Sequence, residues 1–236
     1  MAFVENRKKL IQANNFYLVL AAIFIASLVT SNLIFQKFFQ LDALGWYVFE
    51  ISVGIIPYPV TFLVTDIISE LYGKKRANRV VMAGLFASVF TLLIVLIADY
   101  SIATPWSPVT DEEFHHVFGV TFIGVGASMA AYLAAQFIDV QLFHFWKRLT
   151  KGKYLWLRNN ASTFTSQFVD TFTVLFLLCS FKIIEWQYFG GLLLNGFLFK
   201  VIVALLDTPI IYLVLWRFRK YFHLKGHGAE FSEELF

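Results

Sequence analysis

Six apolar segments, separated by short linkers, run through almost the whole chain. Their approximate bounds are 16–35, 46–69, 80–100, 118–143, 162–181 and 192–216. Each is long enough to cross the hydrocarbon core of a bilayer as an α-helix, which needs about 20 apolar residues. Lipid offers no hydrogen-bond partners, so a chain crosses it only as helices or as a closed barrel. The pattern predicts an all-α membrane protein with one domain over residues 1–236 and six transmembrane helices.

The composition supports the same class of protein. Hydrophobic residues make up 58% of the chain and charged residues only 15%, against about one quarter charged in a typical soluble domain. Cys179 is the single cysteine, which excludes an internal disulfide and a metal site built from several thiolates. The first apolar segment is too long for a signal peptide and lacks a small-residue cleavage site, so we expect it to remain as a span.

The basic residues alternate between the two predicted sides of the membrane. One side carries Arg7, Lys8, Lys9, Lys74, Lys75, Arg76, Arg79, Lys147, Arg148, Lys151, Lys153, Arg158, Arg217, Arg219, Lys220 and Lys225. The other side carries only Lys37 and Lys182. Because positively charged loops stay in the cytoplasm, both termini are predicted to be cytoplasmic. The same distribution explains the net charge of +3 without a nucleic-acid partner.

A few polar and charged residues lie inside the apolar segments. A charged side chain at the centre of a bilayer costs about 2.5 to 3.5 kcal/mol on insertion scales, so such groups usually face a cavity or a partner. The candidates are Asn32, Glu50, Asp66, Glu70, Gln167, Asp170, Thr171, Lys200 and Asp207. Asp99 and Asp139 lie near predicted span ends, where we expect them to be hydrated by bulk water.

Asp66 and Glu70 are four residues apart, so they project from one face of a helix. Two ionised carboxylates repel each other, which favours a cationic or hydrogen-bond-donating ligand, a basic neighbour, or protonation of one carboxylate. The alternative for Glu70 is a place at the cytoplasmic surface, paired with the basic cluster at residues 74–79.

Two further groups of polar residues allow both a binding role and a structural role. Gln167, Asp170 and Thr171 share one helical face, which predicts either a binding surface or a hydrogen-bonded seam between helices. Lys200 and Asp207 are too far apart for a mutual ion pair, so each is expected to meet another helix. For Lys200 we consider Asp170 or Glu50 as the neutralising partner. Asn32 contributes either amide contacts to a ligand or a helix-end hydrogen bond.

No constellation typical of an enzyme is present. The chain has no HExxH, nucleophile-elbow or Walker motif. The histidines divide between the two predicted sides of the membrane and cannot converge on a metal. We therefore predict no catalytic residue, no metal site and no cofactor.

Three stretches carry a resemblance to a known family, in the order PVTFLVTDIISELYGKKRANRVV, SQFVDT and KVIVALLDTPIIY. Together they resemble the queuosine precursor transporter family, also called the vitamin uptake transporter family, over residues 32–212. The resemblance implies a fold like that of the six-span substrate-binding subunits of energy-coupling-factor importers. It also implies a location in the bacterial inner membrane and import of 7-cyano-7-deazaguanine or 7-aminomethyl-7-deazaguanine without an ATPase module. The oligomeric state, including a homo-oligomer, stays open.

The polar residues fit such a substrate. Carboxylates accept the N–H donors of a deazaguanine edge, an amide satisfies its carbonyl, and aromatic rings stack on the flat heterocycle. The predicted substrate-binding residues are Asn32, Phe62, Asp66, Glu70, Tyr72, Phe164, Gln167, Asp170, Lys200 and Asp207.

The predicted mechanism is alternating access through a central polar pocket. Asp66 and Asp170 occupy the second span of each three-span half, which favours inverted repeats that rock about the site. The alternative is a binding subunit that delivers its ligand to a separate ATPase module, with Ala22 and Ala26 as docking residues.

Overall fold

The computed structural model describes residues 2–42, 45, 47–119 and 122–222. These residues are mostly helical and include one two-stranded sheet. The elements are α1 (Ala2–Ile34), β1 (Phe38–Asp42), β2 (Val48–Ser52), α2 (Tyr58–Asp99), α3 (Asp111–Phe114), α4 (Phe122–Leu149), α5 (Leu155–Ser180) and α6 (Trp186–Phe222). Trp46, at the start of the predicted second span, and Lys225 in the tail lie outside the described residues.

Within this part of the chain, four helical stretches are long and apolar enough to cross a membrane. They are Lys8–Ile34, Val53–Asp99, Leu155–Ser180 and Trp186–Phe222. The stretch Val53–Asp99 has 47 residues, more than twice the about 20 residues that one crossing needs. The prediction of a helical membrane protein is confirmed at this level.

A β-hairpin stands where the predicted second span should begin. β1 and β2 pair antiparallel, with Gln40 opposite Glu50. Phe49 and Ile51 of β2 are buried, whereas Val48 and Glu50 are exposed, which is the period of two that is typical of a half-buried strand. The apolar run hid this alternation, so the sequence predicted helix from residue 46, whereas α2 begins at Tyr58.

α2 is divided at Gly73, which has φ 79° and ψ 172°. This conformation is accessible essentially to glycine alone. We refer to residues 58–72 as the first part of α2 and to residues 74–99 as its second part.

The first part of α2 runs antiparallel to α1. Near the start of this region, the Ser31 hydroxyl donates a hydrogen bond to the Gly54 carbonyl at 2.5 Å. At its end, the Tyr72 hydroxyl donates to the Ala13 carbonyl at 2.7 Å. Rising residue numbers in α2 therefore meet falling residue numbers in α1.

The second part of α2 runs parallel to α1. The Tyr17 hydroxyl donates to the Arg76 carbonyl at 3.3 Å, and further along both helices Phe24 lies against Gly84. The chain therefore reverses its direction at the glycine that separates the two parts.

The first part of α2 is the centre of the bundle. Nearly all of its side chains from Thr61 onward are buried; α1, α4 and α6 pack against α2, and α5 contacts it through Arg158 and Glu70. α4 and α6 run in the same direction as this segment, and α5 runs in the opposite direction. The contacts that fix these directions are Tyr58 with Lys200 and Glu70 with Arg219 for α6, Thr61 with Gln136 and Glu70 with Lys147 for α4, and Asp66 with Thr163 and Glu70 with Arg158 for α5.

A short polar segment connects the second part of α2 to α4. The Thr110 backbone N–H and hydroxyl both donate to the Glu113 carboxylate, which lowers the pKa of that carboxyl. His115 Nδ1 lies 2.8 Å from an oxygen of Asp99. This segment is exposed and lies away from the centre of the bundle.

Candidate functional site

A cavity of about 140 Å³ lies between the hairpin, α1, α2, α5 and α6. We call it the main cavity. A water molecule needs about 10 to 15 Å³ of cavity volume, so the main cavity has room for roughly ten water-sized groups. Its polar and aromatic lining comprises Ser31, Asn32, Glu50, Ser52, Tyr58, Asp170, Thr171 and Lys200. The cavity is therefore large enough for a small heterocyclic molecule.

A buried ion pair lies at the base of the main cavity. Lys200 Nζ is 2.7 Å from Asp170 Oδ2 and donates to the Thr171 hydroxyl at 2.9 Å. The same ammonium lies 4.3 Å from the centre of the Tyr58 ring. Asp170 is 3% exposed and Lys200 is 8% exposed. Of the two partners considered for Lys200, the structure has Asp170.

Two residues that line the main cavity each have a buried polar atom without a hydrogen-bond partner in the described part of the protein. These atoms are Asp170 Oδ1, an acceptor, and Asn32 Nδ2, a donor. Buried polar groups are nearly always hydrogen-bonded, because an unpaired group retains its full desolvation cost. A ligand that supplies one donor and one acceptor would satisfy both atoms.

A second, smaller cavity lies deeper in the bundle, and we call it the polar recess. It measures about 10 Å³, which is space for about one water molecule. Its lining includes Phe62, Asp66, Asn159, Thr163, Gln167, Lys200 and Asp207. Lys200 lines both the main cavity and the polar recess. Four of the predicted substrate-binding residues, Phe62, Asp66, Gln167 and Asp207, therefore line one recess, and Lys200 connects this recess to the main cavity.

Glu70 lies at the opposite end of the bundle from the main cavity and lines neither cavity. Its side chain is 0% exposed and is held by Arg158 at 2.5 Å, Lys147 at 3.3 Å and Arg219. We call these four residues the Glu70 cluster. The sequence suggested the 74–79 linker as the basic partner, but the cations come from α4, α5 and α6.

Two of the predicted aromatic residues also lie away from both cavities. The Tyr72 hydroxyl donates to the Ala13 carbonyl, and the Tyr72 ring packs at 5.4 Å from that of Tyr17. Phe164 is half-buried on α5 and lines neither cavity. Tyr58, which the sequence analysis did not single out, is the aromatic residue that contacts Lys200.

The expectation that Asp139 is hydrated at the end of a span is wrong. Asp139 is 0% exposed, and its Oδ1 accepts a hydrogen bond from the Ser166 hydroxyl at 2.8 Å. The reason is that α4 continues to Leu149, so Asp139 is ten residues inside the helix rather than at its end. The series of Ser and Thr residues in α5 that faces it was the available signal.

Among the described residues, no three His, Cys, Asp or Glu side chains are arranged to hold a metal ion. The polar groups instead line a ligand-sized cavity and a small recess between apolar helices. This arrangement is characteristic of helical membrane proteins that carry small molecules, in which intramembrane polar residues mark the substrate pathway.

Comparison with known families narrows this class. The family described as "Putative vitamin uptake transporter" matches residues 52–214, from the last residue of β2 through α2, α3, α4 and α5 to most of α6. The match spans well over half of the chain, so the protein belongs to this family. The resemblance that the sequence motifs carried is thereby confirmed.

Relatives with similar sequences are named after queuosine precursors. The "Probable queuosine precursor transporter" of Bacillus subtilis (strain 168) is 27% identical over 164 residues, covering 68% of this chain and 70% of that protein. The "Queuosine precursor transporter" of Escherichia coli (strain K12) is 26% identical over 172 residues, covering 71% and 73%. The "Probable queuosine precursor transporter" of Haemophilus influenzae is 25% identical over 215 residues, covering 86% and 84%. No solved structure matches the chain.

Proposed function

We propose that the protein imports a queuosine precursor, a 7-deazaguanine, across the bacterial inner membrane. The family and the names of the relatives support the substrate class. The observation that carries the proposal is the unpaired Asp170 Oδ1, buried at the base of a ligand-sized cavity. The protein acts as a transporter rather than an enzyme.

The main cavity offers complementary groups to a deazaguanine. Asp170 Oδ1 accepts an N–H of the substrate edge, and Asn32 Nδ2 donates to its carbonyl. The Tyr58 ring provides a face for stacking on the flat heterocycle. Glu50 lines the cavity from the exposed hairpin and attracts a cationic aminomethyl group.

Six membrane crossings fit the helix directions. α1, the first part of α2, its second part, α4, α5 and α6 alternate in direction along the chain, as successive crossings must. The Glu70 cluster lies at the end that holds the linker after α4 and the carboxyl-terminal turns of α6. The positively charged end of such a bundle is cytoplasmic, which places both termini inside and the main cavity on the outer side.

Transport then follows alternating access. The substrate enters the main cavity, and the Glu70 cluster holds the inner ends of four helices together. Opening the inner end requires these ion pairs to separate. The polar recess, with Asp66, Gln167 and Asp207, lies between the two ends and completes the path.

The proposal is tested with purified protein in liposomes and labelled 7-cyano-7-deazaguanine. Wild-type protein takes up the label. Asp170→Asn and Asp66→Asn abolish uptake, although both variants are incorporated into the liposome membrane. The matched control is Asp111→Asn, which changes an exposed carboxylate in the segment that connects α2 to α4. This variant retains uptake. Normal uptake by both pocket variants would refute the assignment of the site.

The alternative, a binding subunit that delivers its ligand to an ATPase module, draws support from the surface of α1. Ala22 and Ala26 are both exposed on this helix, together with the larger side chains Leu18, Val19 and Ile23. Small residues allow another helix to approach closely. Uptake by the purified chain alone in liposomes excludes this alternative, and uptake only after a partner is added supports it.

A further inference from the structure

Two carboxylates line the polar recess, and a third lies close to one of them. Asp66 of α2 and Asp207 of α6 line the recess, and the carboxyl group of Asp139 on α4 lies near that of Asp66. Asp66 is 3% exposed and Asp139 is 0% exposed. In the part of the chain that the structure describes, neither Asp66 nor Asp139 forms an ion pair with a Lys or Arg.

The closeness of two buried carboxyl groups constrains their protonation. A carboxyl group that holds a proton can donate a hydrogen bond to an ionised neighbour. Two adjacent ionised carboxylates in a buried site also repel each other strongly. The Ser166 hydroxyl already donates to Asp139 Oδ1. A single proton on the Asp66–Asp139 pair, which leaves one negative charge, relieves this repulsion.

The groups that face this pair leave it without a neutralising cation. α5 contributes the neutral side chains Thr163, Ser166 and Gln167, and α6 contributes Asp207 and Lys200. Lys200 lines the recess but is paired with Asp170. Glu70, one turn further along α2, is held by its own three cations.

Further buried polar atoms indicate that the recess receives a small occupant. Gln167 Oε1 and Asn159 Oδ1 line it without a hydrogen-bond partner in the described chain, and their residues are 3% and 2% exposed. The recess admits about one water molecule, which is enough to relay a proton.

We propose that the Asp66–Asp139 pair is a proton-binding site that couples substrate import to the inward movement of one proton. This inference rests on the proposed function. When a substrate donor binds Asp170, the Lys200 ammonium loses part of its pairing and moves toward the recess that it already lines. Its charge stabilises the ionised form of Asp66, and the carboxyl O–H bond breaks. The proton passes to water on the inner side, and after substrate release Lys200 returns to Asp170 while a proton from outside reprotonates the pair.

The test uses wild-type protein in liposomes, with labelled 7-cyano-7-deazaguanine and the membrane potential held at zero. With the interior one pH unit more alkaline, coupling to one proton concentrates this neutral substrate up to about tenfold. Asp139→Asn gives no accumulation above the outside concentration, but it still exchanges labelled for unlabelled substrate. Asp139→Glu, which keeps a titratable carboxyl, restores part of the accumulation, and Asp111→Asn behaves as wild type.

The outcomes separate the coupling from the proposed function. Wild-type protein that exchanges substrate but never concentrates it under the pH gradient overturns the coupling alone. The same holds if Asp139→Asn concentrates substrate as wild type does, or if a sodium gradient drives accumulation and a pH gradient does not. Wild-type protein that neither binds nor exchanges a deazapurine overturns the proposed function and this inference together. If Asp139→Asn fails to fold, the wild-type measurement still tests the coupling, because absence of pH-driven accumulation overturns it.

Discussion

Lys200 is the residue that touches both polar sites of the bundle. It neutralises Asp170, contacts Tyr58 and Thr171, and reaches the polar recess. Removing one partner of a buried ion pair leaves an uncompensated charge, which typically costs about 3 to 5 kcal/mol, whereas removing both partners costs much less. The stability of the folded bundle therefore depends on this pair being kept or removed as a unit.

We predict that Lys200→Met lowers the midpoint of thermal unfolding in detergent, because Asp170 is left buried without its cation. The double variant Lys200→Met with Asp170→Asn should recover most of the loss. Lys182→Met, which removes an exposed lysine, serves as the control and should lie within about 0.5 kcal/mol of wild type. Equal losses in the single and double variants would contradict the predicted coupling of the pair.

At this scale the sequence predicted the polar residues better than their surroundings. Asp66, Asp170, Lys200 and Asp207 were identified because charge is costly inside an apolar segment, and each of them lines a cavity. Asp139 was predicted to be hydrated, because a hydropathy pattern does not locate the end of a helix that continues into a polar linker. Only the packed structure gives the partners of each charge.

Among the elements, α2 departs most from a simple span. Its first part is buried on nearly all sides, and its direction reverses at Gly73 relative to the second part. The two predicted spans 46–69 and 80–100 thus correspond to one chain segment with a glycine break. The apolar pattern locates both parts of α2. The reversal between them depends on the backbone conformation of Gly73, which the apolar pattern does not report.

We predict that Gly73→Ala destabilises the folded protein by about 1 to 3 kcal/mol, because the positive φ and extended ψ at this position exclude a β-carbon. Thermal unfolding in detergent measures the change. Gly190→Ala is the matched control: this glycine lies in α6 with open space around its α-carbon. Alanine there should leave stability unchanged or raise it by about 0.5 to 1 kcal/mol. A Gly73→Ala protein as stable as wild type would contradict the strained break.

The whole molecule places its basic linkers at one end and its main cavity toward the other. The charge alternation in the sequence predicted six spans with cytoplasmic termini, and this topology stays a prediction. What the sequence could not supply is which helices surround the first part of α2, because contacts between distant segments depend on side-chain shape as well as on polarity. The proposed inverted repeat of Asp66 and Asp170 stays a prediction.

We predict that labelling of introduced cysteines distinguishes the two ends. In a Cys179→Ala background, Glu112→Cys in the segment that connects α2 to α4 should react with a membrane-impermeant maleimide in intact cells. Lys153→Cys, in the linker between α4 and α5, should react only after the membrane is permeabilised. Both positions are exposed in the structure, so a difference in labelling reports the side of the membrane. Labelling of Lys153→Cys in intact cells would contradict the proposed orientation.

The β-hairpin has a consequence for how a solute reaches the bundle. The helical stretch that leads to Gly73 begins at Val53, directly after β2, so the hairpin lies at the end of this stretch that is far from Gly73. A two-stranded ribbon leaves outward-facing peptide groups that acyl chains do not solvate. This flank must border a hydrated vestibule, so an arriving molecule sheds its water gradually, first beside the ribbon and only later among the helices.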